Sequence, residues 1–339
     1  MVNFSGRWFS TVGPMDLVQQ GSQIEGSYTF GTTKCFLRGQ VTGNRLDFRY
    51  EEPTIQGEGY FELQRSCKFV GEWHPDGEET WFPWIGERGF EGIWESTFGL
   101  LRAVQEMDQV IGFYEGQGPS NLEGQLIDDR LTFHYQEPQA SGEGWWRLAD
   151  DGQSFFGQWR PAGQDHWQPW GGQRKQAQAG VTWLVVLEAH WQQHLHEPEY
   201  SFGNMLKEFF ARVPVVQFRH RFFNNAAGLH HWCRDLMYLS EPIVVVIATH
   251  ATATGLAVRG ELITPEVIMD GVRHADNVKL LHFSSCLLLQ EEGPARQIVE
   301  GLLHLGRFPV SGYTTSVDWA ASAIIEFTYL DLFLVLRDW

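Results

Sequence analysis

Ile243-Val-Val-Val-Ile-Ala-Thr249 runs without a break into His250, and Lys279-Leu-Leu-His-Phe-Ser-Ser285 runs without a break into Cys286. The first is a continuous, mostly β-branched run, as expected of a strand covered on both faces of a parallel sheet. Working outward, Val181–Leu187, Val215–Phe218, Val278–Phe283 and Phe308–Ser311 read as further strands. Helical spacing takes over in Gly203–Val213, Ala227–Leu239, Pro265–His274, Gly293–Leu305 and Ala320–Leu336. Pro265 suits a first helical position, where its missing N–H is not needed. Strands alternating with helices of this length predict an α/β unit over residues 176–339, with a mainly parallel sheet and helices on both faces. In such sheets function gathers just past the C-terminal strand ends. His250 and Cys286 both stand there, one crossover helix apart.

A thiol and an imidazole on one rim supply a nucleophile and a general base. Ser284 and Ser285 lack the Gly-x-Ser-x-Gly turn of a serine hydrolase. Cys233, mid-helix beside Trp232, reads as packing. His190, His194 and His196 read as surface residues and not as a metal site. No phosphate-cradling glycine motif occurs, so neither cofactor nor metal is expected.

With His before Cys on consecutive strands, this half resembles the caspase-like (clan CD) cysteine peptidases, including the CHAT-type proteases of bacteria. The resemblance implies an endopeptidase acting on protein or peptide substrates, coupled to a sensor in bacterial defence or cell death. Ser311-Gly-Tyr-Thr-Thr-Ser-Val-Asp-Trp319 resembles the stretch lining the primary specificity pocket of caspases. Its one acid, Asp318, is the candidate to receive a basic side chain before the cleaved bond, with Glu291 and Glu292 in reserve. Asp318 is equally well placed to cap the helix that starts near Ala320. Ser285 and Ala251, flanking the pair in sequence, are the other candidate substrate contacts. The family usually carries Gly where Ala251 stands, and Gln-Ala or Asp-Ser where Ser284-Ser285 stands. These departures favour a second reading, a pseudo-protease of the same architecture that binds a ligand or partner.

The first half is a duplication. Phe4-Ser-Gly-Arg-Trp8 answers Phe90-Glu-Gly-Ile-Trp94, and Phe69-Val-Gly-Glu-Trp73 answers Phe155-Phe-Gly-Gln-Trp159. Asn44-Arg-Leu-Asp-Phe-Arg-Tyr-Glu-Glu-Pro53 answers Asp129-Arg-Leu-Thr-Phe-His-Tyr-Gln-Glu-Pro138. Alternation such as Leu46/Phe48/Tyr50 and Leu131/Phe133/Tyr135 predicts short antiparallel strands closing into barrel-like sheets, one per copy (1–88 and 89–175) or one composite. Gly6-Arg-Trp8 and Gly92-Ile-Trp94, with Arg88 and Arg174, resemble the lipocalin-like barrels, which implies a Trp at each barrel base with an Arg across it. Ten of the fifteen Trp lie in this half, and they either fill the interiors or form an aromatic cavity for a small-molecule effector. Trp145, Trp146, Trp159 and Arg160 are the candidates for such a cavity, because the copies differ around them: Tyr60-Phe61 becomes Trp145-Trp146, and Glu72 and His74 become Gln158 and Arg160.

The formal charge of −17 repels phosphate backbones, so nucleic acid is not an expected partner. Four cysteines without paired spacing argue against a disulfide framework. No signal-like or membrane-spanning segment is read, and a cytoplasmic protein is expected.

Overall fold

Alternation along the repeats produces two closed, eight-stranded, up-and-down antiparallel barrels: β1–β8 between Gly6 and Glu87, and β9–β16 between Gly92 and Arg174. The computed structural model describes residues 2–178, 180–192, 194–197, 199–252, 255–289, 300–301 and 308–336. The chain divides into Met1–Ala179 and Gly180–Trp339, shortly after the change of pattern at residue 175. In the strand Arg130–Gln136 every second residue is buried, namely Leu131, Phe133 and Tyr135, as a period of two requires. Each barrel seals by pairing its first strand with its last, Phe9 with Glu87 and Trp94 with Arg174, which leaves no open edge.

The interiors are filled with rings. Phe61 stands 4.1 Å from Phe69 and 4.4 Å from Phe48, while Trp146 stands 4.5 Å from Phe133 and 4.9 Å from Trp170. Gly59 and Gly144 make room for this, since a Cβ there would come within 2.6 Å and 2.3 Å of the Phe48 and Phe133 rings. At each base an arginine covers the tryptophan, Arg88 at 4.4 Å from the Trp8 ring and Arg174 at 4.2 Å from the Trp94 ring. The same two guanidiniums donate to Ser5 O and Glu91 O. The Trp–Arg pairing implied by the lipocalin resemblance is present in both copies.

The second unit has a five-stranded sheet in the order β18-β17-β19-β23-β24: Val216–Phe223, Thr182–Ala189, Ile243–Ala248, Val278–Ser284 and Val310–Gly312. All four neighbouring pairs are parallel. Side chains of one strand serve both faces alternately. Ile243, Val245 and Ile247 meet helices α2 (Ala226–Asp235) and α3 (Pro265–Val272) through Leu229, Cys233, Ile268 and Val272. Val244, Val246 and Ala248 meet helix α1 (Phe202–Phe210) and the closing helix Trp319–Asp331 through Phe202, Leu206, Ala323 and Leu330. Side chains of this size buried completely contribute ~1.5–3 kcal/mol each, so β19 anchors both cores.

Local signals set the helix starts: the side chains of Ser201 and Asn225 accept from Asn204 N and Gly228 N. Val216–Phe223 runs further than the expected Val215–Phe218, and of the helix expected over Gly293–Leu305 only Glu300 and Gly301 are described. One element was not anticipated. After β19 the chain forms a small antiparallel sheet of β20 (His250–Thr252), β21 (Gly255–Val258) and β22 (Glu261–Ile263). Among the described residues no helix is long and apolar enough to cross a membrane.

Candidate active site

Neighbouring strands β19 and β23 pair in parallel up to Ala248 opposite Ser284. His250 and Cys286 each stand two residues past that last pair, so register alone brings them to the same rim. Both line one cleft of about 160 Å³, together with Trp191, Phe202, Ser285 and Val317. Cys286 is partly exposed. Its Sγ accepts a hydrogen bond from Val317 N at 3.5 Å and lies 3.8 Å from Val317 O. The imidazole of His250 is exposed, and the Trp191 ring meets it edge-on at 5.0 Å and 86°.

The backbone bends sharply beside the thiol. Leu287 has φ +62, and of the four non-glycine residues with positive φ among the described residues it alone lies outside a hairpin turn, the others being Met107, Asp128 and Arg259. A left-handed residue costs about 1–2 kcal/mol and persists only where its surroundings hold it, often at functional sites. Here Leu287 N donates to Thr315 O at 3.2 Å and Leu289 N to Tyr313 O at 3.1 Å, tying the turn to the segment after β24.

Sequence reasoning missed Glu188, the carboxylate that orders the opposite wall. It is the penultimate residue of β17 and is fully buried. Oε1 accepts from Trp191 Nε1 at 2.5 Å and from Phe202 N at 2.8 Å. Oε2 accepts from Ser201 Oγ at 2.6 Å and Gly203 N at 3.0 Å, and His220 Nε2 lies 2.8 Å away. Burial works to raise this carboxyl's pKa, but His220 and the other donors outweigh it and hold it below the usual range. The signal was visible: an acid near the end of an almost wholly apolar strand is a buried charge that must find partners.

The remaining candidates fall as follows. Ser285 is buried and lines the cleft, and its Oγ has no hydrogen-bond partner among the described residues. Ala251 pairs with Leu256 across the hairpin and packs on the core. Asp318 takes the second of its two expected roles: it is the N-cap of the closing helix, accepting from Ala320 N and Ala321 N at 3.0 and 3.1 Å, and it does not line the cleft. Glu291 and Glu292 lie outside the described residues. Cys233 is fully buried, which pushes its thiol up to about 12, in keeping with a packing role. His190 stacks on Phe222 at 4.4 Å, and no cluster of potential metal ligands occurs among the described residues.

Trp145, Trp146, Trp159 and Arg160 do not form one cage, because adjacent strand residues point to opposite faces. Trp146 lies in the barrel core and Trp159 packs against that core. Arg130 covers the Trp145 ring at 4.4 Å. Arg160 holds Glu143 at 2.5 Å beside an open groove of about 640 Å³.

No family model and no curated protein matches the chain. Among solved structures, a bifunctional GH43-CE protein of Bacteroides eggerthii aligns over 98% of this chain and 90% of its own, at 7% identity and a TM-score of 0.26. A likeness that low carries no argument.

Proposed function

We propose that the chain is a caspase-like cysteine endopeptidase with Cys286 as nucleophile and His250 as general base. In this reading the imidazole takes the thiol proton and the thiolate attacks the peptide carbonyl. The imidazolium then protonates the leaving amine, and water, activated by the same imidazole, hydrolyses the thioester. The observation that carries the reading is the register: the two residues follow neighbouring parallel strands, each two positions past the last pair, and line one cleft. The left-handed turn at Leu287 and the Val317 N–H directed at Sγ add support. The barrels, whose interiors are filled, are read as a sensing or regulatory unit.

The test is peptide turnover by the full chain. Cys286→Ala is expected to abolish it, and His250→Ala to slow it by ~10²–10⁴, the usual contribution of a positioned base. Turnover that survives in Cys286→Ala would refute the dyad, and a wild-type protein that cleaves nothing would leave the binding-protein reading in possession.

A further inference from the structure

The cleft beside Cys286 is walled on one side by Trp191, Tyr200, Phe202 and Val317, and four neutral Ser or Thr residues complete its described lining. Among the described residues that line it, none carries a carboxylate or an ammonium, and His250 is the one basic side chain. The acid behind the wall, Glu188, is occupied by Trp191, Phe202, Ser201, Gly203 and His220. It braces the aromatic wall from behind and has no lone pair left for a cation in the cleft. A charged side chain entering would lose its hydration without an opposite charge among the described residues to replace it, which is strongly unfavourable. A neutral apolar side chain would gain from the same burial. The size agrees, because an apolar cavity of ~150 Å³ holds a benzene ring and this one is about 160 Å³. The buried Ser285 Oγ in the same cleft, unpartnered among the described residues, offers a hydrogen bond to the backbone of the bound residue.

We propose that this cleft is the primary side-chain subsite and that it selects an uncharged, apolar residue of Leu to Phe size before the scissile bond, with Trp191 as the selecting wall. The assignment rests on the peptidase reading above and replaces the basic preference expected from Asp318, whose carboxylate is engaged in capping.

The experiment is a set of peptidyl acyloxymethyl ketones, identical except for Leu, Phe, Arg or Asp at the terminal position, reacted with the full-length protein. The Cys286 thiolate displaces the carboxylate from the methylene carbon, and mass spectrometry locates and times the alkylation. The Leu and Phe probes are expected to label Cys286 at least tenfold faster than the Arg and Asp probes. Trp191→Ala is expected to reduce that ratio to threefold or less, and Trp191→Phe, which keeps a ring in the wall, to retain most of it. Labelling by Arg or Asp as fast as by Leu overturns the subsite while leaving the peptidase intact. The same holds if the ratio is unchanged in Trp191→Ala. If no peptide labels Cys286 while iodoacetamide still alkylates it, the peptidase reading falls and takes the subsite with it.

Discussion

The two barrels began as the same object, and they differ most tellingly where they join. In the first, Ser5 Oγ accepts from Gln19 N at 2.8 Å. In the second, Glu91 occupies the matching place and Oε2 accepts from Gln105 N at 2.7 Å. The backbone task is kept and a charge is added. That charge is fully buried and reaches Arg102 at 2.7 Å in its own barrel and Arg65 at 2.7 Å in the other. The residue matching Arg102 in the first barrel is Asp16, which makes an exposed pair with Arg7 at 3.0 Å. One lineage thus holds a solvent-screened pair and the other a desolvated triad spanning two sheets. Glu87 extends the buried group toward Lys68 and Arg102, at 3.7 and 3.8 Å. The added charges Glu91 and Arg102 thus lie where the second copy meets Arg65 of the first.

Breaking the joint should show the contrast at its largest. Glu91→Ala withdraws the shared carboxylate from buried arginines and is expected to cost ~3–5 kcal/mol, whereas Ser5→Ala costs about 1 kcal/mol; urea unfolding followed by tryptophan fluorescence compares them. Acid should expose the same difference. Burial raises the Glu91 carboxyl's pKa, but Arg102 and Arg65 more than offset this and hold it below its ordinary value. Its contribution is therefore present above the ordinary carboxylate pKa and lost as pH falls through the lowered one. Unfolding of the wild type is expected to become easier on that acid limb, and Glu91→Gln to flatten it; parallel limbs for both proteins would contradict the assignment.

Two smaller effects sharpen the comparison. Trp84 Nε1 donates to Ser10 Oγ at 2.8 Å, while Trp170 Nε1, its counterpart, is buried without a partner. Trp84→Phe should therefore cost about 1 kcal/mol more than Trp170→Phe, the worth of one hydrogen bond, in paired thermal melts. Asp16→Asn is expected to change stability by less than ~1 kcal/mol, as for exposed ion pairs generally, and added salt should erase even that.

What could be read from the residues depended on how local the cause was. Leu131, Phe133 and Tyr135 alternate because one face of their strand is buried, and that period is written in the order of the residues. The rim position of His250 and Cys286 was legible for a similar reason, since each follows an apolar run directly. The strands β20–β22 were not, because segments of three or four residues are too short to display a period. Asp318 carried two meanings, and the cap prevailed because its partners, Ala320 N and Ala321 N, are two and three residues away. Glu91 and Glu188 could be recognised only as acids in apolar company. Their partners lie as far off as Arg65 and His220, and no spacing rule reaches that distance.

Barrel closure has a bearing on how such a chain could have lengthened. First and last strands are bonded neighbours in each copy, Phe9 to Glu87 and Trp94 to Arg174, so the polypeptide leaves each barrel beside the point where it entered. Doubling one copy in frame adds a finished, edgeless body, whereas a partial insertion would expose unpaired strands that invite aggregation. The new junction also falls beside the seams of both bodies, within reach of residues such as Arg65 and Glu91. A lineage built this way adds whole barrels, and one substitution at the seam is enough to begin welding the newcomer in place.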